Sequence, residues 1–126
     1  MRPRILLVDD HQIVRKAIKQ LLEGPTRDVC GEASTGEEAI QKVQELKPDL
    51  VVMDYLMPGM SGLETMKKIR EIAPDTKIVI LTMDDAAMEE ASKAGADGCV
   101  HKASIVEELF QAITRILLGR KLSDGW

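Results

Sequence analysis

The chain is poor in aromatic residues, with one Trp, one Tyr and one Phe among its 126 residues. Modules that bind nucleic acid by base stacking need aromatic platforms, so this scarcity disfavours that class. The net charge of −4 also argues against non-specific attraction to nucleic acid or to an anionic membrane surface. Any contact with DNA is therefore not expected from this chain itself.

Long apolar runs and cysteines are scarce as well. No apolar stretch approaches the length needed to cross a bilayer, and the run in MRPRILLVDDHQ is too short for a signal peptide. We therefore expect a cytoplasmic protein without membrane contact. The two cysteines, Cys30 and Cys99, lie far apart without metal-ligand spacing, and we expect them to act as small buried hydrophobes.

Short apolar runs alternate with amphipathic stretches along the whole chain. Hydrophobic residues make up 44% and charged residues 30%, which is typical of one globular domain. Five strand–helix units in series predict an α/β fold, a doubly wound parallel sheet with helices on both faces. The predicted strands are RILLV, VCGEA, DLVVMD, KIVILT and DGCVHK.

The first and the last predicted helix each have an apolar face. In the first helix the face is formed by Ile13, Val14, Ala17, Ile18, Leu21 and Leu22. The last helix is expected to begin at a Ser104 cap. Its predicted core face is Ile105, Leu109, Ala112, Ile113 and Ile116.

Polar residues stand where the predicted strands end. The run Leu50–Met53 predicts a strand buried on both faces, yet it ends in an aspartate, which is costly to bury without partners. In open parallel sheets, ligands bind beyond the carboxyl ends of the strands. The residues at these ends are Asp9, Asp10, Asp54, Thr82 and Lys102.

These side chains together suit phosphoryl transfer. Converging carboxylates repel each other, and Mg²⁺ would relieve that conflict because it prefers oxygen ligands. Asp54 is a candidate nucleophile toward phosphorus, with Lys102 and Thr82 available to the phosphoryl oxygens. Each residue also has a plainer explanation: an aspartate could cap the first helix, Thr82 could be an ordinary strand residue, and Lys102 could point into solvent.

Four segments carry a family resemblance: ILLVDDH, PDLVVMDYLMPGMSGLE, IVILT and AGADGCVHK. With them the chain resembles the receiver domain of bacterial two-component response regulators, most closely those of the LuxR/FixJ type. The resemblance implies a flavodoxin-like (βα)5 fold with strand order 2-1-3-4-5. It also implies a receiver domain over residues 1–119, with 120–126 as a tail or the start of a linker.

The resemblance assigns roles around a metal and a phosphoryl group. Asp54 corresponds to the phospho-accepting aspartate. Asp10 corresponds to a direct Mg²⁺ ligand and Asp9 to its water-mediated companion, while Asp54 and the backbone carbonyl of Leu56 complete the protein's ligands. The resemblance therefore implies Mg²⁺ as the cofactor.

The remaining matched positions concern the switch and the loop. Thr82 corresponds to the switch hydroxyl, and Lys102 to the lysine that holds the phosphoryl group. In the loop, Pro58 and Gly59 are expected to turn the chain, and Gly62 to allow a tight start to the third helix.

One position departs from the family pattern. Receivers commonly carry a Tyr or Phe three residues before the lysine, and here that position holds Cys99. The aromatic part of the usual switch is therefore missing. In the implied strand order Cys30 and Cys99 lie on opposite edges of the sheet, so an intramolecular disulfide is not expected.

The expected function is a phosphorylation-dependent signalling switch rather than an enzyme. A sensor histidine kinase would phosphorylate Asp54, and the altered face would change a protein–protein contact, regulating transcription through a DNA-binding output domain absent from this chain. The last helix carries a second apolar strip, which is either part of a wide buried face or a homodimer or partner surface. This strip consists of Val106, Phe110 and Leu117.

Three alternatives belong to other classes. A haloacid-dehalogenase-type phosphatase needs a second Asp two positions after the nucleophile, but Leu56 and His11 occupy those positions after Asp54 and Asp9. A flavodoxin-like carrier needs a hydroxyl- and glycine-rich phosphate loop, whereas DDHQIV would repel a phosphate. The third alternative is a phosphorylation-independent binding module, with which Cys99 at the position of the switch aromatic is compatible.

Overall fold

The computed structural model describes residues 2–125, and the side chains of residues up to 118. Its strands are β1 (Arg4–Val8), β2 (Asp28–Ala33), β3 (Leu50–Asp54), β4 (Lys77–Thr82) and β5 (Gly98–His101). Its helices are α1 (Gln12–Leu22), α2 (Gly36–Leu46), α3 (Gly62–Ile72), α4 (Asp85–Lys93) and α5 (Ile105–Gly125). Among these residues no helix combines the length and apolar character that a membrane span requires.

The five strands form one parallel sheet in the order β2-β1-β3-β4-β5, which confirms the predicted fold and strand order. In this register Asp54 of β3 pairs with Leu81 of β4, and Thr82 pairs with His101 of β5. The carboxyl ends of β3, β4 and β5 therefore meet at one edge of the sheet, and β1 ends beside them because it pairs in parallel with β3.

Alternate residues of the strands pack into two separate hydrophobic cores, one on each face of the sheet. Ile5 and Leu7 of β1 face the core that α1 and α5 cover, whereas Leu6 and Val8 face the core under α2, α3 and α4. Every residue of the central strand β3 is buried, because helices cover both of its faces. Each fully buried aliphatic side chain stabilises the fold by about 1.5–3 kcal/mol, so the sheet provides a rigid base for residues at its edge.

The predicted apolar face of α1 is buried only at its carboxyl-terminal end. Ile18 and Leu22 belong to the core, but Ile13 is 85% exposed, and Val14 and Ala17 are exposed as well. The reason is the position of the first turn, which starts at the carboxyl edge of the sheet, beyond the last residue of β1. An apolar pattern in this turn therefore marks surface rather than core.

The start of α5 differs from the prediction, whereas its core face agrees with it. Lys102–Ser104 forms a 3₁₀ turn in place of a simple Ser104 cap, and His101 Nδ1 accepts a hydrogen bond from the Ala103 N–H at 3.1 Å. Buried or partly buried against the core are Ile105, Leu109, Ala112, Ile113 and Ile116. The helical backbone of α5 continues to Gly125, and the assignment of residues 120–126 to a tail or the start of a linker stays a prediction.

Candidate functional site

Three aspartates converge at the carboxyl edge of the sheet. Asp9 follows β1 and is fully buried, and Asp54 ends β3 with 4% of its surface exposed, while Asp10 is half-buried. One potential ligand atom from each of Asp9, Asp10, His11 and Asp54 lies within 4.8 Å of the others. The fold thus assembles the predicted acidic cluster from β1 and β3, which are neighbours in the sheet but distant in sequence.

Lys102 supplies a positive charge to this cluster. Its Nζ lies 3.1 Å from Asp54 Oδ2 and 3.4 Å from Asp9 Oδ2, and its side chain is only 18% exposed. The alternative in which Lys102 points into solvent is therefore wrong. The helix-cap alternative is wrong: the N-cap of α1 is His11, no side-chain oxygen of the described residues accepts a capping hydrogen bond there, and Asp9 Oδ1 accepts from the N–H of His11 itself at 2.9 Å.

The environment of Asp54 disfavours its charged form. Burial is the largest effect and raises the pKa of the Asp54 carboxyl above its ordinary value of 3.8, and the nearby Asp9 charge raises it further. The ammonium of Lys102 and the backbone N–H of Leu56 lower the pKa, but they do not offset the burial. One lysine thus compensates only part of the charge of three carboxylates.

Replacing Asp54 with asparagine is expected to stabilise the protein at neutral pH by about 1 kcal/mol, as often occurs when a charged functional site is neutralised. The raised pKa means that the folded protein binds more protons than the unfolded chain just above pH 3.8. Ionisation of Asp54 therefore lowers the free energy of unfolding as the pH rises through that window, and the loss persists above it. Urea unfolding of both proteins across this pH range measures the difference.

The exposed Asp75 offers a matched control, because Asp75→Asn removes the same charge far from the cluster. Its free energy of unfolding is expected to stay within about 0.5 kcal/mol of the wild type. Equal effects of the two substitutions, or a destabilised Asp54→Asn protein, would contradict the charge conflict inferred at the cluster.

The cluster has the chemistry of a metal site. Asp10 Oδ1 is buried and has no hydrogen-bond partner among the residues that the structure describes. Such an oxygen is costly to bury unless it meets a donor or a cation. Carboxylate oxygens are the ligands that hard divalent cations prefer, so this aspartate cluster fits such an ion.

Thr82 connects the site to the start of α4. It ends β4, is buried, and its Oγ1 accepts a hydrogen bond from the Asp84 N–H at 3.1 Å. Asp84 is itself the N-cap of α4, where its Oδ1 accepts from the Ala86 N–H at 3.0 Å. A change in the bonding of the Thr82 hydroxyl would therefore act directly on the beginning of α4.

The loop after β3 folds back onto the acceptor strand. A Cβ built at Gly62 would lie 2.5 Å from the backbone oxygen of Asp54, so a tight start to α3 needs glycine there, as predicted. The Gly62 N–H also donates to the Tyr55 carbonyl at 2.9 Å. Gly59 has φ of +76°, and Pro58 and the side chain of Leu56 are exposed. The loop thereby fixes the backbone that carries Asp54.

Cys99 lies on the edge strand β5, partly buried against the core under α4. Burial raises the pKa of its thiol, which makes the reactive thiolate scarcer. Cys30 lies on β2 at the opposite edge of the sheet, and both thiols are free, as expected for this strand order. Both cysteines are half-buried rather than fully buried.

Two contacts near the site had no predicted role. The hydroxyl of Tyr55, the residue after Asp54, donates to Glu90 Oε2 of α4 at 2.9 Å, and this bond raises the pKa of Tyr55. Arg15 of α1 donates from Nη1 to the Asp9 carbonyl at 2.7 Å. Tyr55 is next to a predicted site residue, but the pairing is not visible in the sequence because Glu90 lies 35 positions further along the chain.

The strip proposed as an interface on α5 is unevenly exposed. Val106 is 62% exposed. Phe110 is half-buried, with the Arg27 guanidinium 4.3 Å above the centre of its ring, and Leu117 packs against the core. One end of the strip, at Val106, is therefore exposed, and the other end, at Leu117, is part of a wide buried face.

The parallel sheet and its acidic edge with a lysine define a receiver-type α/β domain. The family model of the response regulator receiver domain matches residues 5–114, and the chain belongs to that family. It is 40% identical over 121 residues to the response regulator GacA of Pseudomonas viridiflava, with 94% of this chain and 56% of GacA covered. The chain thus spans about half the length of the curated relatives it matches.

Solved structures show the same fold. A LuxR-family two-component response regulator from Aurantimonas sp. is 43% identical, with a TM-score of 0.89 over 94% of this chain and 87% of that one. RcsB, in a structure of two dimers bound to two parallel DNAs, is 26% identical, with a TM-score of 0.87 over 94% of this chain and 62% of that one. The chain is therefore similar to LuxR-type receivers, and its role is regulatory.

Proposed function

We propose that this chain is a phosphorylation-dependent signalling switch whose phospho-acceptor is Asp54. The observation that carries the proposal is the placement of a nearly buried carboxylate 3.1 Å from the ammonium of Lys102 and beside Asp9 and Asp10. Membership of the receiver family supports the same function. The proposed receiver domain covers residues 1–119.

In the proposed transfer, a carboxylate oxygen of Asp54 attacks the phosphorus of a phosphohistidine on a sensor kinase. The new O–P bond forms as the P–N bond breaks. The leaving group is the kinase histidine, whose other ring nitrogen already carries a proton, so the ring leaves as neutral imidazole. Lys102 is placed to hold the phosphoryl oxygens, because its Nζ already lies beside the acceptor carboxylate. The product is an acyl phosphate on Asp54.

A divalent cation is part of the proposed site. The residues proposed to hold Mg²⁺ are Asp9, Asp10, Asp54 and the backbone carbonyl of Leu56, and the buried, unpartnered Oδ1 of Asp10 supports this assignment. When bound, Mg²⁺ would neutralise the carboxylates and the incoming phosphoryl oxygens. The ammonium of Lys102, which lies close to both carboxylates, offsets part of the repulsion between Asp9 and Asp54.

The proposed output is a changed protein–protein contact. After phosphorylation, the hydroxyl of Thr82 would turn toward the phosphoryl group and give up the hydrogen bond that it accepts from the Asp84 N–H. The beginning of α4 would then lose one of its contacts. The LuxR-family relatives support regulation of transcription through a DNA-binding domain outside these residues, and the RcsB dimers on DNA support a homodimer. Val106, Phe110 and Leu117 remain the proposed partner surface on α5.

The test is intact mass after incubation with Mg²⁺ and acetyl phosphate. We expect one phosphoryl group on the wild type and on the Asp75→Asn control, and none on Asp54→Asn. Acetate is the leaving group in this reaction, so a kinase is not needed. An unmodified wild type that still binds Mg²⁺ would contradict the proposal and favour a phosphorylation-independent module, with Cys99 as the first position to examine.

A further inference from the structure

His11 turns its imidazole toward the aspartates. Its Nδ1 lies 3.3 Å from Asp10 Oδ1 and 3.4 Å from Asp9 Oδ1, and one of its ring nitrogens lies within 4.8 Å of a ligand oxygen of Asp54. The side chain is 66% exposed, so core packing does not hold the ring in this position. A ring nitrogen thus joins the carboxylate oxygens at the site.

The spacing of these atoms is close to that of ligands sharing one cation. Neighbouring ligands of an octahedral ion lie about 3.0 Å apart when its bonds are about 2.1 Å long, and opposite ligands about 4.2 Å apart. Asp10 Oδ1 has no hydrogen-bond partner among the described residues, although His11 Nδ1 is 3.3 Å away. The two atoms therefore lie close together without forming a hydrogen bond, so both are available to a cation.

We infer that His11 is a ligand of the divalent cation held by the aspartate cluster, and that it shifts the preference of the site toward first-row transition cations. Imidazole nitrogen binds such cations well, whereas Mg²⁺ favours oxygen ligands. The inference deepens the proposed function and rests on it only in requiring that the cluster holds a divalent cation.

Mn²⁺ bound to the full chain gives a direct test by electron spin-echo spectroscopy. The chain has only two histidines, His11 and His101, so labelling their rings with ¹⁵N marks two positions. We expect a nitrogen coupling that changes on labelling, is lost in His11→Gln and persists in His101→Gln. His101 is the matched control because its Nε2 lies 3.9 Å from Asp85 Oδ1, and it is not among the four clustered residues.

Calorimetry of metal binding gives an independent measurement. We expect His11→Gln to weaken Ni²⁺ binding by about tenfold or more, and Mg²⁺ binding by less than about twofold. Mn²⁺ bound without nitrogen coupling, or equal losses for Ni²⁺ and Mg²⁺, would overturn the inference and leave the proposed function standing. Failure of the wild type to bind any divalent cation would overturn both the inference and the proposed metal site.

Discussion

The Lys102→Met variant is expected to lose about 3 kcal/mol of unfolding free energy without divalent cations, because removal of one partner leaves buried charges uncompensated. Asp9 is fully buried and Asp54 nearly so, and Lys102 lies within 3.4 Å of both carboxylates. Methionine keeps the volume of the aliphatic chain, so the change isolates the ammonium. Urea unfolding followed by circular dichroism measures the loss, and added Mg²⁺ is expected to reduce it.

The same substitution is expected to slow phosphorylation by acetyl phosphate about 100-fold, as loss of one charge-stabilising donor commonly does. Lys93→Met is the control, because Lys93 forms an exposed pair with Glu89 that is worth at most about 0.5 kcal/mol. The double variant with Asp54→Asn should recover part of the stability if the two charges are coupled. Equal losses for Lys102→Met and Lys93→Met would refute the role given to Lys102.

Gly62→Ala is expected to destabilise the fold by about 2 kcal/mol, a typical cost of overpacking. The added Cβ would meet the Asp54 backbone oxygen at 2.5 Å and the Tyr55 backbone at 3.0 Å, and neither atom belongs to a flexible side chain. Displacement of this backbone moves the Asp54 carboxylate, so phosphorylation should slow by up to about 100-fold. Unfolding and intact-mass kinetics measure the two effects.

Gly24→Ala is the matched control for this clash. Its added Cβ would meet only the end of the Arg27 side chain, at 3.6 Å. We expect a stability change within about 0.5 kcal/mol and unchanged phosphorylation. A Gly62→Ala protein that behaves like Gly24→Ala would show that the close approach to Asp54 does not restrain the acceptor.

The fold and much of the candidate site could be predicted because each apolar run indicates a strand and the polar residue that ends it indicates the site. Apolar runs such as Leu50–Met53 define strands buried on both faces, and the serial strand–helix pattern requires parallel pairing. Parallel pairing places all carboxyl ends on one edge, so the sequence predicts that Asp54 and Lys102 lie close together. Their separation of 3.1 Å agrees with that expectation.

The other features depend on side-chain positions in the folded protein, which the periodicity of apolar residues does not predict. The first turn of α1 has an apolar pattern but no sheet beneath it, so Ile13 is exposed despite a regular helical repeat. The bond between Tyr55 and Glu90 joins two elements whose side-chain directions are set only after the sheet and α4 have packed. His11 lies in the short connection between β1 and α1, where the apolar repeat of the helix does not predict the direction of a side chain.

The contact between Tyr55 and Glu90 has a spectroscopic consequence. Tyr55 is the only tyrosine of the chain, and its hydroxyl connects the residue after Asp54 to α4. The vibrational modes of a phenol ring change when its hydroxyl gains or loses a hydrogen bond. An infrared or Raman spectrum of the unlabelled protein therefore contains a single tyrosine signal, which arises where the acceptor strand meets the fourth helix.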